Sequence, residues 1–383
     1  MTTITIAGEV FRWARERAGL SDENLAKKVH AKPEKIHAWE TGQEYPNFQQ
    51  AQKLASAFGI PLGYLFLSQP PQMTIPIADF RSLPNTEKAK ISPNLQDVLD
   101  DALRKRDWYG EWRKAEGLGT LEFVGKYSLR SQPAEIIMDM RRVLDIPPDF
   151  ASHLKTWDEH LRMLVQKVES AGILVLQSGI VGNNTKRGLS IDEFRGFALA
   201  DEYAPLIFIN AQDSISARIF TIAHELAHLW TGTSGISNPK ITPDAVETQA
   251  VEQICNRVAA EFLVPRQAIS LQWETRLNAF ENAQQLARYF RVSTQVILRR
   301  GYDLGLISND EFHMAFQASL KAIKIPKAGG GGDFYNTLFS RNSRRFTREL
   351  LSAVNSGRLS YLDGARLLNT HPGQLVKAME RLG

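Results

Sequence analysis

His224-Glu225-Leu226-Ala227-His228 is the stretch of the chain with the clearest chemistry. Histidines four positions apart project from one face of a helix, so both imidazoles reach one metal ion. The glutamate between them lies close enough to take a proton from a water that the metal activates. The implied chemistry is metal-assisted hydrolysis. Two histidines and a glutamate on an otherwise apolar helix are costly to bury unless a metal or hydrogen-bonding partners meet them. The chain has a single cysteine, Cys255. An internal disulfide and a multi-cysteine metal site are therefore excluded, and any metal is held by His, Asp or Glu, in keeping with a reducing compartment.

A hydrolytic metal needs a third protein ligand and an open position. Thr231 and Ser234 stand where the metzincin extension places Gly and His. The gluzincin solution, a Glu from a downstream helix with a polar residue one turn later that supports a ligand, resembles Glu252 followed by Asn256. Glu247 and Glu261 compete, but Val251 and Pro265 stand four positions after them, and Asp244 sits in the preceding loop. The expected zinc ligands are therefore His224, His228 and Glu252, with Asn256 behind them. Glu225 is the expected base, returning its proton to a leaving amine, which makes peptide hydrolysis the reaction. Cys255 reads as a small buried filler. Tyr203 and Arg218 lie nearby in sequence as oxyanion donors, with an ordinary structural role as the simpler reading of each.

These residues need a helix behind a small sheet. Residues 214–230 carry Ile215, Ile219, Ile222, Ala223, Leu226 and Leu229 at helical spacing. Short apolar runs at 173–176, 197–200 and 206–209 precede them, bounded by Gly, Asn, Asp or Pro as strands are. A Thr/Ser/Gly/Asn/Pro loop over 231–243 and a helix over about 245–263 follow. The expected fold is mainly α with a small β-sheet, an α+β zincin-like catalytic domain, joined to an all-α amino-terminal domain.

Ser21 to Lys28 and Pro33 to Thr41 have the two-helix spacing of a helix-turn-helix, with Ser21 and Asn47 as N-caps. The second helix would read a major groove through Lys32, Lys35, His37 and Thr41. Residues 1–70 hold 8 Lys and Arg against 7 Asp and Glu, a modest charge for phosphate binding. Residues 284–383 hold 15 Lys and Arg against 7 Asp and Glu, so the chain's net +4 is concentrated there. That end suits acidic partners or nucleic acid, or presents a solvated helical face. A second helix-turn-helix-like stretch runs from Ala283 to Arg300. Pro70, Pro71, Pro76 and Pro84, and the Gly329–Gly332 run, mark boundaries. The expected domains are 1–70 helix-turn-helix, 71–155 helical connector, 156–265 catalytic, 266–327 helical, and 328–383 linker with a basic helical tail.

The chain has 383 residues, 43% hydrophobic and 23% charged, which excludes wholesale disorder and a small disulfide-stapled scaffold. Its apolar runs are far shorter than the ~20 residues that span a bilayer, and no basic-then-apolar leader opens it. A cytoplasmic protein is expected.

Leu25-Ala26, Trp39-Glu40-x-Gly42, Pro46 and Leu54-Ala55 resemble an XRE-type helix-turn-helix. Residues 220–228 with 252–265 (EQICNRVAAEFLVP) are similar to the ImmA/IrrE family of metallo-endopeptidases. The resemblance implies a zincin-like domain with gluzincin ligands at His224, His228 and Glu252 and a base at Glu225. It also implies limited proteolysis of a helix-turn-helix repressor in a phage-like, stress-response or toxin–antitoxin setting. A cognate toxin, DNA and a second copy of the chain are the further partners it suggests. Asp22 departs from the Gln common at that helix start. The competing class is a transcriptional regulator or antitoxin-like binding protein whose zincin domain serves as a sensor or docking module.

Overall fold

The computed structural model describes residues 3–71, 78–79, 91–237, 250–322 and 333–382. The chain divides into two compact units, Met1–Pro76 with Lys90–Gln96, and Ile77–Ala89 with Asp97–Gly383. The first unit holds helices α1 (Gly8–Arg17), α2 (Asp22–Val29), α3 (Pro33–Glu40) and α4 (Phe48–Phe58). Ser21 caps α2 by accepting from the Asn24 N–H, and Asn47 with Gln50 forms a capping box on α4. His30, left-handed at φ 56°, ends α2 and turns the chain into α3. Phe11, Leu25, Ile36, Trp39 and Leu54 fill the core. Glu40 is buried at the end of α3, where Arg12 Nε and Arg15 Nε donate to it at 2.9 and 2.8 Å and tie α1 to α3.

The second unit is built on a mixed sheet of β1 (Ala78–Asp79), β2 (Leu174–Ser178), β5 (Gly196–Leu199), β6 (Leu206–Asn210) and β7 (Gly235–Ser237), beside the hairpin of β3 (Ile180–Val181) and β4 (Asn184–Gly188). The order across the sheet is β1-β7-β5-β6-β2. β2 and β6 run parallel, while β5 is antiparallel to both β6 and β7. All residues of β5 and β6 are buried, which is why they read as unbroken apolar runs rather than alternating ones. The three apolar runs expected as strands fall within a residue or two of β2, β5 and β6. β7 lies where a loop was expected: only three residues long, it is held by pairing with β5 rather than by its own composition.

The helices of this unit are α5 (Pro93–Ala115, from Asp97 onward), α6 (Pro133–Leu144), α7 (Trp157–Ser170), α8 (Ile215–Trp230), α9 (Ala250–Leu263), α10 (Arg266–Gln272), α11 (Ala279–Phe290), α12 (Thr294–Asp303) and α13 (Asn309–Lys321). The carboxy-terminal set is α14 (Phe334–Arg341), α15 (Arg344–Asn355), α16 (Tyr361–Leu367) and α17 (Pro372–Leu382). The second helix-turn-helix-like stretch is α11 and α12. Asp244, Glu247, the expected start of α9 at 245, the linker residues Pro76 and Pro84 and the Gly329–Gly332 run lie outside the described residues. Among the described residues no helix is long and apolar enough to cross a membrane.

α8 runs through the centre of the unit. Ser214 caps it, and every residue from Ile219 to Trp230 is buried against β5, β6, α7 and α9. Its end is pinned where Trp230 Nε1 donates to Asp139 Oδ2 at 3.0 Å, while Lys126 and Arg142 hold the other oxygen of Asp139. Phe123 stacks on the Trp230 ring with centroids 4.4 Å apart.

Candidate metal centre

α8 and α9 pack side by side and bring His224, His228 and Glu252 together, one ligand atom of each lying within 4.8 Å of the others. Glu252 Oε2 stands 3.3 Å from His224 Nε2 and its Oε1 stands 3.2 Å from His228 Nε2. The two Nε2 atoms are 3.1 Å apart. Each imidazole is held from behind through Nδ1, His224 by Asn256 Oδ1 at 2.9 Å and His228 by Thr233 Oγ1 at 2.8 Å. Nδ1 hydrogens directed outward leave both Nε2 lone pairs facing the carboxylate. Ser237 Oγ, 3.3 Å from His228 Nε2, is placed to donate to one of those lone pairs. Two imidazole nitrogens and a carboxylate converging on one point are held together either by protons on Nε2 or by a cation among them, and this N/O donor set is one that zinc accepts.

Glu225, His224 and His228 are fully buried and Glu252 nearly so. Among the described residues neither carboxylate oxygen of Glu225 has a hydrogen-bond partner. Burial pushes its carboxyl up to about 8; the His224 charge opposes this, the charge of Glu252 adds to it, and the nearby Ser237 hydroxyl favours ionisation. Burial also works against ionisation of Glu252, but the hydrogen bonds and charges of His224 and His228 hold it down at about 2. β5 closes the other side. Gly196 lies against Thr221 and Glu225 Oε1 so tightly that no side chain fits there.

Residues 168–301 match the family model of the IrrE N-terminal-like domain of the Peptidase M78 family. Residues 11–65 match Helix-turn-helix. These two matches, in this order, agree with the ImmA/IrrE architecture that the sequence resembles. The IrrE-like segment takes in β2 to β7, α8 and α9 and reaches α12, so the helix pair α11–α12 belongs to the matched region. Residues 342–381, which span α15 to α17, match a domain of unknown function (DUF8813). No curated protein matches the chain. The chain is thus metallopeptidase-like, with a helix-turn-helix domain ahead of the IrrE-like domain.

The structure places the other expected site residues as follows. Glu261 is away from the centre, accepting from the Arg266 N–H and paired with Arg300. Cys255 is buried in the core. The ring of Tyr203 carries Lys114 over its face at 5.0 Å, and Arg218 lines a separate cavity. In the amino-terminal domain Lys32, Lys35, His37 and Thr41 are all exposed along and beside α3. Lys35 Nζ lies 3.8 Å from Glu44, and Thr41 Oγ1 donates back to the His37 carbonyl at 2.8 Å. Sequence reasoning missed Thr233 and Ser237. The one cue to them was a run of hydroxyl residues directly after the motif.

Proposed function

We propose that the protein is a zinc endopeptidase of the gluzincin kind that makes limited cuts in a regulatory protein, a helix-turn-helix repressor, in a phage-like, stress-response or toxin–antitoxin setting. The observation that supports this most is the convergence of His224, His228 and Glu252 beside a buried Glu225 that has no hydrogen-bond partner among the described residues. A structural metal site has no use for such a carboxylate, whereas a hydrolytic site requires one within reach of the attacking water. His224, His228 and Glu252 would hold the zinc, which when bound acts as a Lewis acid toward the scissile carbonyl and acidifies water. Glu225 takes the proton from the attacking water at its carboxylate and gives it to the leaving amine nitrogen. Asn256 and Thr233 keep both imidazoles in the tautomer that leaves Nε2 free. Because the four residues are enclosed, a peptide reaches them only after the protein opens, which suits selective cleavage better than general digestion.

Target choice then falls to docking by the flanking helical modules. Lys32, Lys35, His37 and Thr41 are the residues we assign to DNA contact. Their domain also suits pairing with a second copy or with a toxin partner. The test incubates wild type and Glu225→Gln with zinc, a helix-turn-helix regulator encoded by a neighbouring gene, and casein, and reads fragments by mass spectrometry. Cleavage of the regulator alone, by wild type alone, is expected. Rapid casein digestion would contradict selectivity, and a zinc-loaded protein that cuts no candidate regulator would favour the sensor or antitoxin function.

A further inference from the structure

A cavity of about 640 Å³ opens between α7, β2, the first turn of α8 and the carboxy-terminal helices α14 and α15. Its volume is that of a small-molecule site. Five arginines line it: Arg162 from α7, Arg218 from α8, and Arg344, Arg345 and Arg348 from α15. Asp158 and Glu169 are the acidic residues in the lining, so three positive charges are left over. Glu169 is already engaged, its Oε1 accepting from Ser343 Oγ at 2.6 Å and from the Arg344 N–H at 3.0 Å.

The arginines differ in what they do. Arg345 is fixed, donating through Nε to the Tyr109 hydroxyl at 2.7 Å and through Nη1 to the Glu169 carbonyl at 3.0 Å. Arg344 reaches Asn336 Oδ1 at 3.3 Å. Arg162, Arg218 and Arg348 make no ion pair among the described residues. Among the described residues Arg218 Nε has no hydrogen-bond partner, and burial lowers the pKa of its guanidinium while the charges of Asp158 and Asp213 oppose this. A half-buried guanidinium with an unsatisfied Nε is costly to keep, and here four more stand around the same space.

We propose that this cavity binds a small molecule carrying two or more phosphate groups. The planar fork of arginine matches phosphate oxygens in pairs, and several forks from three helices suit a polyphosphate better than a single carboxylate. A surplus of three positive charges corresponds to a diphosphate of about three negative charges. The ligand would bridge the DUF8813-matched segment to the helix that carries His224 and His228, since Arg218 belongs to α8 as well.

The test measures binding of ADP, pyrophosphate and adenosine to the full chain by calorimetry at low salt, with wild type and the Arg162→Ala/Arg348→Ala double variant. Both substituted side chains are exposed, so the fold should persist, and an unchanged melting temperature without ligand verifies it. ADP and pyrophosphate should bind the wild type and adenosine should not. The double variant should bind at least about tenfold more weakly, the loss expected for charge-assisted hydrogen bonds. Absence of binding by ADP and pyrophosphate, equal binding by the double variant, or adenosine binding as tightly as ADP would each overturn the proposal.

Discussion

Gly196→Ala probes how tightly β5 is pressed onto α8. A Cβ at this position would lie 2.6 Å from Thr221 Cγ2, 2.9 Å from Glu225 Oε1 and 2.9 Å from the Phe208 carbonyl oxygen. Comfortable carbon contacts are about 3.5–4.0 Å, so the strand and helix must part by roughly 1 Å. The neighbours cannot easily yield. Phe208 O is backbone within the β5–β6 ladder, and Thr221 is β-branched and fixed by its bond to the Ala217 carbonyl at 3.0 Å. Overpacking of this kind costs about 1–3 kcal/mol. A displacement near 1 Å at Glu225 also lowers cleavage by on the order of 10²-fold. Urea denaturation and cleavage of the regulator are measured on the same preparation. Gly188→Ala in β4, where an added Cβ meets nothing within 4 Å, is the control and should shift stability by less than about 0.5 kcal/mol. Unchanged stability and cleavage in Gly196→Ala would refute the close approach of β5 to α8.

Asn256→Ala and Thr233→Val should each weaken metal affinity by roughly 10- to 100-fold, as read by competition with a chelator; no change would mean that the Nδ1 bonds do not orient the ligands. Asp139→Ala leaves the buried Trp230 N–H unpartnered and should cost about 1–3 kcal/mol in urea denaturation. Lys126→Ala, which removes only a half-exposed partner of Asp139, should cost less than Asp139→Ala in the same assay. His160 is buried with Nδ1 3.3 Å from the Arg291 carbonyl, and burial holds its pKa down at about 4 from 6.5. Above pH 6.5 both folded and unfolded states are neutral there. As pH falls from 6.5 toward 4 the unfolded state takes a proton that the folded state refuses, and about 3 kcal/mol of stability is lost. Denaturation at pH 7.5 and 4.5 should show this loss reduced in His160→Gln; identical pH dependence in the two proteins would contradict it.

What was legible in the sequence depended on whether the partners were local. α8 announced itself because Ser214, the apolar stripe and the two histidines all lie within one helix, and Asn256 was visible because it stands one turn after Glu252. Thr233 and Ser237 were not, since β7 is a three-residue strand defined by its pairing with β5, in a segment whose composition reads as loop. The β3–β4 hairpin was hidden for a related reason: β4 is Asn184–Gly188, mostly exposed and without an apolar face. The arginine cavity was beyond reach of local patterning. The basic balance of the carboxy-terminal end was visible, but Arg162 and Arg218 come from helices more than a hundred residues earlier, and only the fold brings them to α15.

The central claim is that His224, His228 and Glu252 hold one zinc that Glu225 serves without binding it. Metal content of purified protein, determined by mass spectrometry for wild type, Glu252→Ala, Glu225→Gln and Glu247→Ala, tests it most directly. About one zinc per chain is expected in wild type, Glu225→Gln and Glu247→Ala, with its loss in Glu252→Ala. Full zinc occupancy in Glu252→Ala with loss in Glu247→Ala would contradict it.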